Sequence, residues 1–390
     1  MFRFFPSNYM WSQAVMRALG SGGAIGEVIK AVDALQDAAP RYDGEAWYGA
    51  WYALGDHLWQ QGEIELAADH PRSARGSFQR ACAYYQLAIA FMDYADPRKG
   101  ACHRRSVDAF ARFAELSDPP IERVEVPYEG SSFPAWFVRG AGDAARRPGL
   151  IYLPGLDSTK EQGLQFALAM AARGFGVLLP DGPGVGEGVQ FRGLVNRYDY
   201  EVPGKADFDY LAGRPDVDPA RIVVVGVSMG GYRAPRFAAF EPRLAGCVAW
   251  GAVWDWATVW ASRINNERGN VPVPHSHVLH VMGAKTIDEV SAIVQSWRLE
   301  PVAGQIRCPL LVTHGEQDAQ IPVEQAYRLY EAAGSPQKEL KIFTAAEGGS
   351  AHCQNDNRLL AYAYVGDWLE DVLLRGRRRE GVIVGWERKA

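Results

Sequence analysis

The fold is decided by one stretch of sequence, Ile222-Val223-Val224-Val225-Gly226-Val227-Ser228-Met229-Gly230-Gly231. Its first half is almost continuously β-branched, which is typical of a strand covered on both faces of a sheet. The second half contains the pattern G-x-S-x-G, placed where the strand gives way to a helix. At such a corner the serine occupies a strained turn, so the positions two residues away on either side must be glycine. The pattern predicts that Ser228 is a nucleophile; the alternative is a glycine-rich turn with an incidental serine.

Short apolar runs on both sides of this stretch alternate with helical segments. Buried parallel strands have this texture, because helices cover both faces of the sheet. Strands that alternate with helices indicate βαβ units and a mostly parallel sheet. A hairpin around Gly130 precedes the alternation. The apolar runs are residues 149–153, 175–179, 222–227, 246–250, 309–313 and 340–343.

The chain is expected to divide at Asp118-Pro119-Pro120, since proline cannot continue a helix. Before this point apolar residues such as Trp47, Trp51 and Leu58 recur at the spacing of one helix face. Residues 1–120 are therefore predicted to form an all-helical cap or interface domain, and 121–375 a catalytic α/β domain. The alternation lapses at about 255–305, which we interpret as an inserted lid, and 376–390 are expected to be a C-terminal tail.

A serine hydroxyl becomes a nucleophile only when a base takes its proton and an acid orients the base. In a sheet where the nucleophile comes first, the acid and then the histidine follow later strands. Asp318 comes shortly after the run 309–313, and His352 stands in a glycine-rich segment after the run 340–343. The sequence predicts a Ser228, Asp318 and His352 triad. Glu316 is an alternative acid, and His314 is interpreted as a structural residue at a strand end.

The oxyanion formed by serine attack needs two donors that are already in place. The first predicted donor is the backbone N–H of Met229, directly after the nucleophile, where a helix N-terminus also favours negative charge. The second is the backbone N–H of Leu156, in the turn after the run 149–153. Residues 181–187 are rich in glycine but lack a phosphate-binding pattern, so we interpret them as a turn that shapes the pocket floor.

Four histidine and cysteine residues have a second possible interpretation. His275, His277 and His280 have the spacing of metal ligands, but no neighbouring carboxylate or cysteine completes a set, so no metal site is predicted. Cys353, beside His352, is interpreted as a packed small side chain rather than a nucleophile. No cofactor is expected.

Aromatic residues make up 12% of the chain, with 12 tryptophans, which is rich for its length. One group that includes Trp250 and Trp254 follows the run 246–250, at the edge of the sheet where the catalytic loops gather. It suggests a pocket for a flat, apolar substrate, with packing of the lid as the alternative. Tyr232 is a further candidate for this pocket. Asp255 is predicted to bind a substrate hydroxyl or assist proton transfer; the alternative is a helix N-cap or a surface carboxylate.

Charge and cysteine usage restrict the partners. The 390 residues carry a net charge of −5, which gives no basic surface for nucleic acid or membrane. No apolar run approaches the roughly 20 residues that span a bilayer, and the N-terminus does not look like a secretory signal. The five cysteines are scattered, which favours reduced thiols and a cytoplasmic location. The apolar N-terminal helices are compatible with a homodimer.

Four segments resemble those of a known superfamily. They are Gly155-Leu156-Asp157-Ser158-Thr159-Lys160-Glu161, Asp181-Gly182-Pro183-Gly184-Val185-Gly186-Glu187, Asp216-Val217-Asp218-Pro219-Ala220-Arg221-Ile222 and Gly226-Val227-Ser228-Met229-Gly230-Gly231-Tyr232. With the helical N-terminal domain, they make the chain similar to the α/β hydrolases. Within them it resembles the group of 2,6-dihydroxypseudooxynicotine hydrolase, the fungal polyketide-shortening hydrolases and the fermentation–respiration-switch-like proteins. The resemblance implies an α/β-hydrolase fold with a mostly parallel sheet of eight strands.

The same resemblance implies a reaction, since several members of the group cleave carbon–carbon bonds in aryl ketone or polyketide substrates. The expected activity is hydrolysis of a C–C bond beside a carbonyl in a small-molecule substrate, an aromatic ketone or a polyketide-like compound. A carboxylesterase, thioesterase or acyl-transfer enzyme is the first alternative, because the same triad serves any acyl transfer. A non-catalytic regulatory protein that binds its ligand on a hydrolase scaffold is the second.

Overall fold

The structure, a computed structural model, describes residues 3–264 and 273–389. Its contacts divide the chain into two compact units. The first comprises the described residues of Phe2–Arg123 and Val271–His280, and the second those of Val124–Asn270 and Val281–Ala390. Within the described residues, no helix is both long and apolar enough to cross a membrane.

Between residues 3 and 123, the described N-terminal part of the first unit, the chain forms five α-helices. Three of them begin at a side chain that accepts a backbone N–H of the first turn, namely Asn8, Asp43 and Asp96. The helices pack closely where α3 carries glycine: a methyl group at Gly62 would lie 2.8 Å from the ring of Phe78 on α4. The helices are α1 (Tyr9–Gly20), α2 (Ile25–Ala34), α3 (Gly44–Ala67), α4 (Pro71–Ile89) and α5 (Pro97–Glu115).

Tryptophans form the centre of this unit. The rings of Trp11 and Trp47 are 4.6 Å apart, and those of Trp47 and Trp51 are 5.4 Å apart. All three are buried. Large rings fill the space between helices, so packing accounts for the tryptophans of this part of the sequence.

In the described part of the chain, the second unit is built on one sheet of ten strands, which are numbered along the chain and lie in the order β1-β2-β4-β3-β5-β6-β7-β8-β9-β10. Neighbours from β4 to β9 pair in parallel, while β2–β4 and β9–β10 pair antiparallel. The strands are β1 (Glu122–Tyr128), β2 (Ser131–Val138), β3 (Arg147–Leu153), β4 (Gly176–Pro180), β5 (Val217–Val227), β6 (Gly246–Trp250), β7 (Leu310–Gly315), β8 (Lys338–Phe343), β9 (Gly381–Val384) and β10 (Glu387–Lys389).

The expectation of eight strands was wrong because the segment taken for a C-terminal tail adds to the sheet. Strand β9 pairs with β8 along Glu339–Ile342, and β10 folds back on β9. The side chain of Lys341 on β8 reaches the carbonyl oxygen of Gly385 in the hairpin and lies 2.7 Å from Glu347 Oε1. The hairpin is thereby held by side-chain as well as backbone hydrogen bonds.

Helices cover the sheet between its parallel strands. The segment between β6 and β7, the predicted lid, carries three further helices among its described residues, namely α10, α11 and α12, and α11 lies mostly in the first unit. Residues 265–272 of this segment lie outside the described residues. The helices are α6 (Leu164–Ala171), α7 (Gly186–Arg192), α8 (Glu201–Ala212), α9 (Gly230–Phe240), α10 (Trp256–Ile264), α11 (His275–Met282), α12 (Ile287–Ile293), α13 (Glu324–Ala332) and α14 (Arg358–Leu369).

The topology brings three loops to one edge. Strands β5, β6, β7 and β8 are consecutive neighbours and run parallel, so their carboxyl ends lie at the same edge of the sheet. Ser228 follows β5, Asp318 follows β7 and His352 follows β8. Ligands of open parallel sheets bind at this edge.

Candidate active site

Ser228 occupies a sharp turn between β5 and α9. Its φ angle is +58°, in the left-handed region that is unfavourable for residues with a side chain. The glycines on either side leave no room for a side chain. A methyl group added at Gly226 would lie 1.9 Å from the carbonyl oxygen of Gly230. A methyl group added at Gly230 would lie 2.1 Å from the carbonyl oxygen of Leu153. The backbone N–H of Ser228 donates to the carbonyl oxygen of Trp250, at 2.8 Å. The strained turn is thus fixed by its neighbours.

The structure brings Ser228, His352 and Asp318 into one hydrogen-bonded chain. His352 Nε2 lies 2.9 Å from Ser228 Oγ, and His352 Nδ1 lies 2.6 Å from Asp318 Oδ2. The other carboxylate oxygen of Asp318 accepts the backbone N–H groups of Gln320 and Ile321, at 2.8 and 3.0 Å. This arrangement fixes the carboxylate, which in turn orients the imidazole with one nitrogen toward the serine.

Burial and charge shift the pKa values of Asp318 and His352 in opposite directions. Burial favours a neutral Asp318, but the adjacent His352 outweighs it and lowers the pKa of the carboxyl. Burial likewise favours a neutral His352, but the carboxylate of Asp318 and the adjacent thiol of Cys353 together outweigh it and raise the pKa of the imidazole. The arrangement therefore stabilises an imidazolium beside a carboxylate, the state that forms after a serine gives up its proton.

The structure distinguishes the alternatives for the acid. Glu316 Oε2 accepts the backbone N–H of Ala345 at 3.1 Å, and Asp318 is the carboxylate that contacts His352. His314 is fully buried, with its Nε2 at 2.9 Å from the carbonyl oxygen of Ile321 and at 3.4 Å from Asp318 Oδ2. It supports the loop of the acid, which agrees with its interpretation as a structural residue at a strand end.

The two predicted oxyanion donors stand on the segments that flank the serine. Met229 directly follows Ser228 and precedes α9. Leu156 is buried in the turn after β3. This turn runs beside the serine, since a methyl group added at Gly155 would lie 3.7 Å from Ser228 Oγ.

The four predicted substrate-binding residues each make contacts within the protein. Asp255 Oδ1 accepts the backbone N–H of Ala257 at 2.9 Å, the pattern of an N-cap for α10. Tyr232 is buried and donates from its hydroxyl to a backbone carbonyl at 3.0 Å. Trp254 is held by Gln325, whose Oε1 accepts its backbone N–H. Trp250 packs edge-on against Phe166 and Tyr362.

Two residues directly after His352 contact its surroundings: Gln354, which the sequence did not point to, and Cys353, which is interpreted from the sequence as a packed small side chain. Gln354 is fully buried, and its Oε1 accepts the indole N–H of Trp250 at 2.7 Å. Cys353 Sγ lies 3.4 Å from His352 Nε2. Their position directly after His352 was a usable signal, because residues adjacent to a predicted base lie on the same loop.

A buried charge cluster, formed by Lys160, Glu161, Asp181 and Glu187, lies close in sequence to the turn that carries Leu156. Lys160 Nζ lies 2.7 Å from Glu161 Oε1, 2.9 Å from Asp181 Oδ2 and 2.7 Å from Glu187 Oε2. Asp181 also accepts the backbone N–H groups of Lys160 and Glu187. The cluster joins the segment after β3 to the glycine-rich turn after β4. Its members lie in two of the motifs quoted above.

Two histidines of α11 pack against Tyr94, which belongs to the same unit. The ring of His280 stacks on Tyr94 with centroids 3.7 Å apart, and His277 lies 5.5 Å from the same ring. Among the described residues, no group of three or more histidine, cysteine, aspartate or glutamate side chains is placed to hold a metal ion.

Comparison with known proteins places the chain among hydrolases. The model of the prolyl oligopeptidase family matches residues 163–375. A 2,6-dihydropseudooxynicotine hydrolase of Paenarthrobacter nicotinovorans is 29% identical over 348 residues, which cover 87% of this chain and 88% of the relative. Hydrolase acrC of Aspergillus aculeatus is 28% identical over 431 residues, which cover 95% of this chain and 98% of the relative.

A solved structure extends the similarity to the fold. The crystal structure of the 2,6-dihydroxy-pseudo-oxynicotine hydrolase superposes with a TM-score of 0.81 and 27% identity, over 95% of this chain and 99% of that one. The predicted α/β-hydrolase fold, with its mostly parallel sheet and helical N-terminal region, is confirmed by these similarities.

Proposed function

The chain belongs to the prolyl oligopeptidase family of α/β hydrolases, and on that premise we propose that it is a serine hydrolase with Ser228 as nucleophile, His352 as base and Asp318 as acid. The observation that carries the proposal is the continuous hydrogen-bonded chain from Ser228 Oγ through the imidazole to the Asp318 carboxylate. Its support is geometric, since base and nucleophile are already within hydrogen-bond distance.

We further propose that the substrate is a small aromatic ketone and that the bond hydrolysed is the C–C bond beside its carbonyl. Support comes from the 2,6-dihydropseudooxynicotine hydrolase, which matches over most of both chains. A carbon leaving group departs only when its negative charge is delocalised, so an aromatic ring or a second carbonyl must be attached to the departing carbon.

The proposed reaction runs in two halves. Ser228 Oγ attacks the ketone carbon while His352 Nε2 takes its proton, and the backbone N–H groups of Leu156 and Met229 hold the resulting oxyanion. Collapse of this intermediate breaks the C–C bond, and the proton on His352 goes to the departing carbon. Water, deprotonated by His352, then hydrolyses the acyl-serine and restores the free enzyme.

The pH dependence follows from the charge on the base. Only a neutral imidazole can take the serine proton, and the carboxylate of Asp318 raises the pKa of His352 even against its burial. The rate of serine acylation should therefore increase as the pH rises into the alkaline range.

The experiment compares purified enzyme on 2,6-dihydroxypseudooxynicotine, an aryl 1,3-diketone and a p-nitrophenyl ester. Turnover of the ketones with formation of a carboxylic acid supports the proposal. Brisk ester hydrolysis without ketone cleavage would replace it with the esterase alternative. Ser228→Ala should lower kcat by at least about 10³-fold with the fold retained. Full biological function in this variant would instead favour the non-catalytic binding protein.

We also propose a cytoplasmic location and a homodimer. Support for the dimer comes from Ile25 and Ile29, which stand one turn apart on α2 and are both exposed. Light scattering after size-exclusion chromatography measures the mass directly. A mass near 43.0 kDa, that of one chain, at micromolar concentration would exclude a stable dimer.

A further inference from the structure

The two residues after His352 have an unusual backbone. Cys353 has φ +49° and ψ 33°, and Gln354 has φ +50°. This left-handed region is unfavourable for residues with a Cβ, and two such residues in succession persist only where surrounding contacts impose the conformation. The contacts that impose it therefore also determine where the imidazole of His352 lies.

One of these contacts is made by the side chain of Gln354. Its Oε1 accepts the indole N–H of Trp250 at 2.7 Å, and the glutamine is fully buried. The indole is held in place by the rings of Phe166 and Tyr362, whose centroids lie 5.7 and 5.8 Å from the centroid of the indole. Gln354 is thus fastened to the rigid end of β6.

The backbone of Trp250 also contacts the turn that carries Ser228. Its carbonyl oxygen accepts the N–H of Ser228 at 2.8 Å and lies 3.8 Å from Cys353 Sγ. The space for the thiol exists because the next residue is Gly251, where a methyl group would lie 2.6 Å from Cys353 Sγ. The loop of the base and the turn of the nucleophile therefore share one anchoring residue.

The thiol also contacts the reacting nitrogen of the base. Cys353 Sγ lies 3.4 Å from His352 Nε2, the atom that lies 2.9 Å from Ser228 Oγ. Sulfur is a weak hydrogen-bonding group, so it fills this side of the imidazole without competing strongly with the serine hydroxyl. A hydroxyl oxygen in its place would compete.

We propose that Cys353 and Gln354 are positioning residues, which set the distance and direction of His352 Nε2 relative to Ser228 through their contacts with Trp250. The inference rests on the proposed function, because it takes His352 as the base. It adds a requirement that the triad alone does not contain: the base is placed by the residues that follow it.

The test measures covalent labelling of Ser228 by a fluorophosphonate, which needs no knowledge of the substrate. Gln354→Met keeps the volume but removes the acceptor, and its labelling rate should fall by about 10- to 100-fold because the base is misplaced. Gln325→Met is the matched control, since Gln325 is also a buried glutamine whose Oε1 accepts backbone N–H groups near the end of β6. It should lose thermal stability without a comparable loss of labelling rate.

A pair of substitutions at Cys353 provides a second test, the pH profile of labelling, which would stay unchanged if Cys353 had only a structural role. A hydroxyl stabilises a protonated Nε2 better than sulfur, and a methyl group cannot stabilise it at all. The acidic limb of the pH profile of labelling should shift to higher pH in Cys353→Ser and to lower pH in Cys353→Ala, by about 0.3 to 1 unit. Asp318 and His314, the other titratable side chains near the imidazole, are unchanged in both variants.

The outcomes separate the two proposals. If the wild-type serine is not labelled at any pH, the proposed function fails and the inference fails with it. If the wild type is labelled and folded Gln354→Met reacts at the wild-type rate, only the inference is overturned. Wild-type pH profiles in both Cys353 variants would overturn it equally, even if Gln354→Met proved too unstable to purify.

Discussion

Replacing Lys160 by methionine should destabilise the protein strongly. The lysine is completely buried, and its ammonium group contacts the three carboxylates of the charge cluster at 2.7 to 2.9 Å. Methionine has a similar length but no charge, so Lys160→Met leaves the carboxylates facing one another without a cation. Removal of one partner from a buried ion pair costs about 3–5 kcal/mol. For a unit of this size that corresponds to a fall in Tm of about 6–20 °C.

The assay is thermal unfolding followed by circular dichroism at pH 8 and pH 5, with Lys205→Met as control. Lys205 pairs with Asp209 on the exposed face of α8, and such a pair is worth less than about 1 kcal/mol. Carboxylates without their cation have a raised pKa in the folded state, so the folded variant binds more protons than its unfolded chain. Its stability then recovers as the pH falls. The reasoning would be refuted if the loss of Tm in Lys160→Met were equal at both pH values, or no larger than the loss in Lys205→Met.

Three further predictions concern Asp318, Gly226 and Asp207, and thermal unfolding measures each. Asp318→Asn removes the ion pair that lowers the pKa of Asp318 and raises the pKa of His352. The loss of Tm relative to the wild type should therefore be largest between about pH 4 and 6.5, where both groups are charged in the folded and the unfolded wild type. This loss should become smaller as the pH rises toward 10, where His352 loses its proton, and as it falls below 4, where Asp318 gains one. Gly226→Ala should disrupt the serine turn and abolish labelling, whereas Gly49→Ala on α3, where a methyl group meets nothing within 4 Å, should stabilise by about 0.5–1 kcal/mol. Burial raises the pKa of Asp207 well above 3.8, so Asp207→Asn should gain Tm over the wild type at pH 8 but not at pH 4.

The serine turn was predictable because its requirements are local. A strand, two glycines and a helix stand next to one another in the sequence, and the steric need for Gly226 and Gly230 follows from backbone geometry alone. The choice between Asp318 and Glu316 was harder, since both follow β7 within a few residues. It depends on where the loop places each carboxylate. Glu316 accepts the backbone N–H of Ala345, which lies after β8 and 29 residues further along the chain, so the local sequence gives no sign of this contact.

The contacts of Trp250 could not be predicted for a related reason. Its position after a strand at the catalytic edge suggested a substrate pocket, but its indole N–H is bonded to Gln354, which lies 104 residues further along the chain. The C-terminal hairpin was missed although residues 381–384 are apolar and bounded by glycine. Strands this short give a weak periodic signal, and pairing with β8 rather than local propensity determines their structure.

The C-terminal hairpin matters for how the protein can be shortened or tagged. Without residues 381–389, the backbone N–H and C=O groups of β8 along Glu339–Ile342 would lose their partners and become an open sheet edge. An exposed sheet edge is a template for strand addition between molecules, whereas β10 has only three residues and offers little to pair with. The hairpin thus protects the sheet edge against aggregation, and a truncation that leaves Ser228, Asp318 and His352 in place would still remove this protection.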